Sequence, residues 1–124
     1  MAHVDFFAIF AIVEQMAKRV YLGEFEFIVI LALLRLGREA YGVSVSREIE
    51  QRCGRGVLVG SLYATLDRLE SHGLVTSIIG EATPERGGRA KRYFRVTAYG
   101  LTKVCESQRA LCNMWDGLSL EVVR

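Results

Sequence analysis

The sequence is poor in the residues that carry most catalytic and metal chemistry. Its two histidines, His3 and His72, are too few and too far apart for a usual zinc set or a histidine-based catalytic set. Its three cysteines, Cys53, Cys105 and Cys112, are odd in number and show no CxxC spacing. That pattern suits a reducing compartment better than a disulfide framework. Cys105 and Cys112 lie about 10.5 Å apart along a helix, too far for a bridge within it, so only a bridge across a dimer stays open. Cys53, on the apolar stripe of its helix, reads as a buried filler. No HExxH or GxSxG occurs. GRGVLVG (54–60) lacks the GK[ST] ending and follows a helix, which excludes a phosphate loop. These absences point to a protein that is not an enzyme and needs no cofactor or metal.

Long apolar runs are also missing. FFAIFAIV (6–13) and FIVILALL (27–34) both fall short of the ~20 residues a membrane span needs. No Lys or Arg precedes the first run, Asp5 sits at its edge, and no A-x-A site follows, so it reads poorly as a secretion signal. A cytoplasmic protein with no membrane partner is the expectation. A single proline and interspersed charge of both signs disfavour disorder. A chain of 124 residues is one domain by size, yet 51% of it is hydrophobic. That apolar surplus needs cover, and a subunit interface is the simplest place for it.

What the sequence does have is a clear order of periodicities. Residues 4–20 read as a helix, and Glu24 to Leu36 as a second, apolar on nearly every side and hence fully buried, stopped by Gly37. From Gly42 to Cys53 the positions Val45, Ile49 and Cys53 recur four apart, as in a one-sided helix. Gly54-Arg55-Gly56 breaks it, and another helix runs from about Val57 to His72, with Leu58, Leu62, Thr65, Leu66 and Leu69 on one stripe. Two short helices joined by a glycine turn have the shape of a helix-turn-helix. LVTSIIG (74–80) and RYFRV (92–96) are β-branched and aromatic runs joined through Pro84 and Gly87-Gly88, a hairpin. Thr97 caps a last helix whose Leu101, Val104, Gln108, Leu111, Trp115 and Leu118 are spaced 3, 4, 3, 4, 3, a heptad seam. The expected fold is mainly α with a small β-hairpin, a winged helix-turn-helix plus a C-terminal dimerisation helix. Its parts are an N-terminal helical extension (1–20), the winged domain (21–97) and the dimerisation helix (98–124).

Charge marks the candidate site. In PERGGRAKRYFR (84–95) five cations, Arg86, Arg89, Lys91, Arg92 and Arg95, face one anion, Glu85, in a chain of net charge only +2. A projecting, glycine-centred tip rich in cations suits a phosphate backbone, because each neutralised phosphate releases counterions. A solvated hairpin with solubilising charge is the plain alternative. On the helix from Val57 to His72, Gly60 and Ala64 face outward if Leu62 faces the core, which places Ser61, Tyr63, Thr65 and Arg68 as candidate contacts to duplex DNA. Thr65 is the weakest of these because it borders the core stripe. Alternatively, Tyr63 packs on the wing and Arg68 pairs with Asp67 or Glu70. The seam helix either joins two copies, with Gln108 setting register, or covers its own subunit. Trp115 either anchors that interface or lines a pocket between subunits that stacks a flat aromatic effector.

YLGEFEFIVILALLRLG, YGVSVSREIE, SLYATLDRLESHGLV and TPERGGRAKRYFRVTAYG together resemble the PadR-type transcriptional regulators over about residues 21–104. The resemblance implies a homodimeric winged-helix repressor that binds an inverted repeat of double-stranded DNA. It implies Tyr63 as a phosphate contact, Arg89, Lys91 and Arg92 as the basic wing, and Tyr41-Gly42 as the opening of the helix before the turn. It also implies release from DNA by a small, often aromatic, effector. One short C-terminal helix is similar to the compact branch of that family. Members commonly begin near MAKRVYLGEFE, which here starts at Met16, so residues 1–15 are either an added helix or an upstream start. The rival from another class is a winged helix used for protein–protein assembly, with its wing on an acidic partner.

Overall fold

The computed structural model describes residues 22–82 and 90–120 together with Phe7 and Ile9. The helix expected over 4–20 therefore lies outside the described residues, apart from Phe7 and Ile9, both helical and exposed. Among the described residues no helix is long and apolar enough to cross a membrane.

Helix α1 (Glu24–Leu36) begins where Glu26 Oε1 accepts from the Gly23 amide at 3.2 Å, satisfying a donor that the helix leaves free. It ends at Gly37, whose φ of 57° lies in the region that favours glycine. Val29, Ile30, Ala32 and Leu33 are buried, but Leu31 and Leu34 are exposed, which corrects the expectation of a fully buried helix. One side packs on the rest of the fold. The other, with Ile28 and Leu31, forms a wall of an open apolar cleft whose far wall is Ile49, Arg52 and Cys53 of the next helix.

After a short 3₁₀ turn comes α2 (Gly42–Cys53), opened by Ser44, whose hydroxyl accepts from the Tyr41 amide at 3.0 Å and donates to the Glu39 carbonyl at 2.5 Å. Gly54 closes it in the left-handed region. Val45 and Ile49 are buried as the spacing predicts, while Cys53 is exposed, because the stripe outruns the core by one turn. Helix α3 (Val59–Ser71) buries Leu62, Thr65, Leu66 and Leu69. Leu58, placed on the same stripe by its spacing, lies outside the core at the helix's N-cap.

Strands β1 (Val75–Ala82) and β2 (Ala90–Val96) pair antiparallel from Val75↔Val96 to Ile79↔Arg92, with an irregularity before Ala82↔Ala90. The hairpin is longer than the two runs suggest. It is stitched to the loop before α2 by the Phe94 amide, which donates to the Ala40 carbonyl at 2.9 Å, and by a bridge between Tyr41 and Tyr93. Phe94 is wholly buried, a burial that stabilises by about 1.5–3 kcal/mol. Thr97 then starts α4 (Ala98–Trp115), accepting from the Gly100 amide at 3.0 Å and donating to the Gly73 carbonyl at 2.7 Å. At Gly100 any Cβ would collide with the Leu74 carbonyl, so this crossing requires glycine.

One carboxylate on α2 bonds both to an arginine of α1 and to an arginine of its own helix. Glu48 Oε1 accepts from Arg52 Nε at 2.7 Å and from Arg35 Nε at 3.2 Å, and chiefly the Arg52 bond holds its carboxyl below the ordinary value of 4.5. A lowered folded value contributes stability that is complete above the unfolded pKa and is lost as pH falls through the folded one. Acid titration followed by circular dichroism should therefore show Glu48→Gln losing less stability than the parent below about pH 4.5. Parallel acid limbs would show that the bridge contributes nothing.

Candidate nucleic-acid interface

Helix α3 and the hairpin present one continuous face. With Leu62, Leu66 and Leu69 turned inward, the helical period turns Gly60, Ala64 and Asp67 outward, flanked by Ser61, Tyr63 and Arg68. Ser61, Ala64 and Arg68 are exposed, and Tyr63 is 37% exposed. Thr65 is only 5% exposed. Set among the leucines of its stripe, it is the least accessible described residue of the expected contact set. The stripe it borders is wider than four leucines.

Tyr63 leans on the first residue of α2, since a Cβ at Gly42 would meet its hydroxyl. Small size at 42 thus sets the place of the phenol, as the close approach of the two helices demands. Around them lies a cleft of about 240 Å³ lined by Tyr41, Gly42, Val43, Tyr63, Ala90, Lys91 and Arg92. Lys91 Nζ stands 4.2 Å from the centroid of the Tyr41 ring, which meets Tyr93 edge-on at 5.7 Å. The Tyr41 face attracts the cation through its negative π-density, while N–H donors of Lys91 remain at the cleft mouth. Tyr41 was placed by sequence only through the resemblance, as part of a helix opening. Its role as a platform for Lys91 depends on a fold contact between residues 50 apart.

Arg92 is placed differently from its neighbours. Its Nη1 donates to Asp67 Oδ1 at 3.0 Å, its Nη2 to Glu70 Oε2 at 3.1 Å and its Nε to Ser77 Oγ at 3.1 Å. Its guanidinium also stands 4.8 Å from the Phe94 ring centroid. Sequence assigns Arg92 to the duplex; in the structure one N–H on each of its three nitrogens bonds to the protein's own Asp67, Glu70 or Ser77, clasping α3 to the middle of the hairpin. Arg68 pairs with Glu26 at 3.5 Å, not with Asp67 or Glu70, whose oxygens Arg92 already engages. That looser pair, its Arg68 side chain more than half exposed, is worth no more than about 1 kcal/mol, so Arg68 is free to exchange partners. Arg95 is exposed on β2, and Arg86 and Arg89 lie outside the described residues.

The seam of α4 divides in two. Val104, 5% exposed, packs into its own core, so the plain-helix alternative holds for the first turns. Beyond it Gln108, Leu111 and Trp115 are exposed, and Leu101 is half-exposed. The helix ends at Trp115, and Gly117 turns the chain with φ 78°, so Leu118 falls off the helical seam and is exposed past it.

Two helices joined by a short turn, followed by a hairpin packed beside the second helix, define a winged helix-turn-helix protein. Residues 30–106 match the Transcriptional regulator PadR-like family, more than half of the chain, and the chain belongs to that family. Over 75 residues it is 39% identical to the transcriptional regulator Rv3488 of Mycobacterium tuberculosis. That match spans 59% of this chain and 64% of the other, so the chain covers just under two thirds of that relative. A PadR family transcriptional regulator from Eggerthella lenta superposes with a TM-score of 0.60 at 29% identity, over 90% of this chain and 92% of that one. A PadR-like transcription factor from Bacteroides fragilis shares the fold with a TM-score of 0.65 at 24% identity, over 84% and 91% of the two chains.

The clasp has a measurable energy. A double-mutant cycle on thermal stability between Arg92→Gln and Glu70→Gln should give a coupling of about 0.5–3 kcal/mol, the range for groups sharing one network. The same cycle between Arg68 and Glu26 should stay under about 1 kcal/mol. Equal couplings would mean that Arg92 is an ordinary surface cation.

Proposed function

We infer that this protein binds double-stranded DNA as a homodimer and represses transcription from a pseudo-palindromic operator. The observation that carries the reading is the shared face of α3 and the wing. Small and polar groups (Gly60, Ser61, Ala64) stand at its centre, with Tyr63, Lys91 and Arg68 at its edges. The centre suits close approach to a groove floor, and the edges suit phosphates. Family membership supports a regulatory role, with repression the direction implied by the resemblance. Duplex recovered from a random pool should show two half-sites about 34–36 Å apart, one turn of the helix. On that duplex Lys91→Gln should lower the salt slope by about 0.9, whereas Arg92→Gln should weaken binding with the slope unchanged. An asymmetric winner, or equal slopes for both variants, would contradict the assignment.

Dimerisation is supported by the uncovered half of α4. Leu111, Met114 and Trp115, on three consecutive turns or less, are 62–77% exposed, and Leu118 and Leu120 beyond the helix are similarly bare. A second copy placed on this arm removes that apolar surface from water. Trp115, the chain's single tryptophan, is then the contact that a flat aromatic effector would compete for or stack on. Leu111→Glu should give a monomer in sedimentation and shift Trp115 emission to the red. In the parent, a planar aromatic effector that releases DNA should quench that emission saturably. A dimer that survives Leu111→Glu would move the interface elsewhere.

A further inference from the structure

The tip of α3 breaks a local rule. Its N-cap residue is Leu58, among the least favoured there, and no side chain caps the first turn. Leu58 is also 77% exposed and the following Val59 64% exposed, while Val57 just before them packs against the core. A serine or aspartate at 58 would cap the helix and hide nothing apolar. The sequence forgoes that cap and sets two branched apolar side chains in water at one end of one helix. Local rules of this kind are broken where function requires it.

The position says what covers them. In a helix-turn-helix the N-terminal residues of the second helix reach the base edges of the major groove. Leu58 and Val59 stand immediately before Gly60 and Ser61, at the N-terminal end of the helix whose outward face is assigned to the duplex. The major groove is lined by hydrogen-bond donors and acceptors, to which an aliphatic side chain offers nothing. Its apolar feature is the C5-methyl group of thymine. We propose that Leu58 and Val59 read thymine, packing on the C5-methyl groups of one or two A·T pairs in each half-site, and so are specificity-determining residues of this protein. The inference rests on the duplex-binding reading given above. Both residues stand clear of the core, so altering them leaves the fold's interior intact.

The test uses the full chain and the duplex recovered from the random pool, with each thymine in turn replaced by deoxyuridine. This removes only the methyl group and keeps every base-pairing and groove hydrogen-bond group. One buried methyl-sized contact corresponds to about fourfold in affinity, so the parent should bind about fourfold more weakly at one or two positions per half-site. Leu58→Ala and Val59→Ala should bind the thymine duplex more weakly and no longer distinguish it from the deoxyuridine duplex at those positions. Leu58→Ser separates stability from reading: restoring a cap should leave the melting temperature at or above the parent's, yet abolish the discrimination. A parent indifferent to the methyl at every position would overturn the proposal while leaving duplex binding intact. Retained discrimination in both Leu58→Ser and Val59→Ala would overturn it equally. A pool that yields no specific duplex would remove the reading on which it rests as well.

Discussion

The structure depends on one arginine that ties the hairpin to α3. Arg92 spends its three donor nitrogens on Asp67, Glu70 and Ser77 and lies against the Phe94 ring. These contacts tie the outward side of α3 to both strands of the hairpin. Charge-assisted bonds of this kind are directional as well as strong. They fix the angle between α3 and the hairpin before any partner arrives, so less ordering remains to be done on binding. Beneath the clasp, Phe94 fills the core and bonds to Ala40, which extends the same rigid unit to the loop before α2. Lys91, one residue earlier, inherits its position from this arrangement.

The face that results is chemically divided. Among the described residues its basic edge comprises Lys91 on the wing, Arg68 loosely held across α3, and Arg95 on β2. Asp67 and Glu70 lie between them with their charge offset by Arg92. Had those carboxylates stood unpaired, they would oppose a phosphate backbone at short range. The clasp thus has two physical consequences, one mechanical and one electrostatic. The apolar pair Leu58 and Val59 sits at the N-terminal end of the same helix, while Asp67 and Glu70 lie in its C-terminal half.

Much of this was legible in sequence, and what was not has identifiable causes. Helix limits followed from Gly37 and Gly54, the hairpin from the change of period, and the start of α4 from Thr97, all local signals. Periodicity names a stripe but not where the core beneath it stops. Leu58 and Cys53 share stripes with buried residues yet emerge past the core's edge, and Thr65 sits further inside than its hydroxyl suggests. The heptad on α4 likewise spans two environments, buried at Val104 and bare at Leu111. Arg92 illustrates the largest gap. Among five cations in twelve residues, composition cannot say which one meets carboxylates on a helix more than twenty residues away.

The most direct measurement is a map of backbone amide shifts as the full chain is titrated with its selected duplex. The account predicts the largest changes at residues 58–64 and around Lys91, with the Arg92 guanidinium signals little moved and the α1–α2 cleft silent. Changes centred on Leu31, Leu34 and Cys53 instead, with α3 undisturbed, would contradict it.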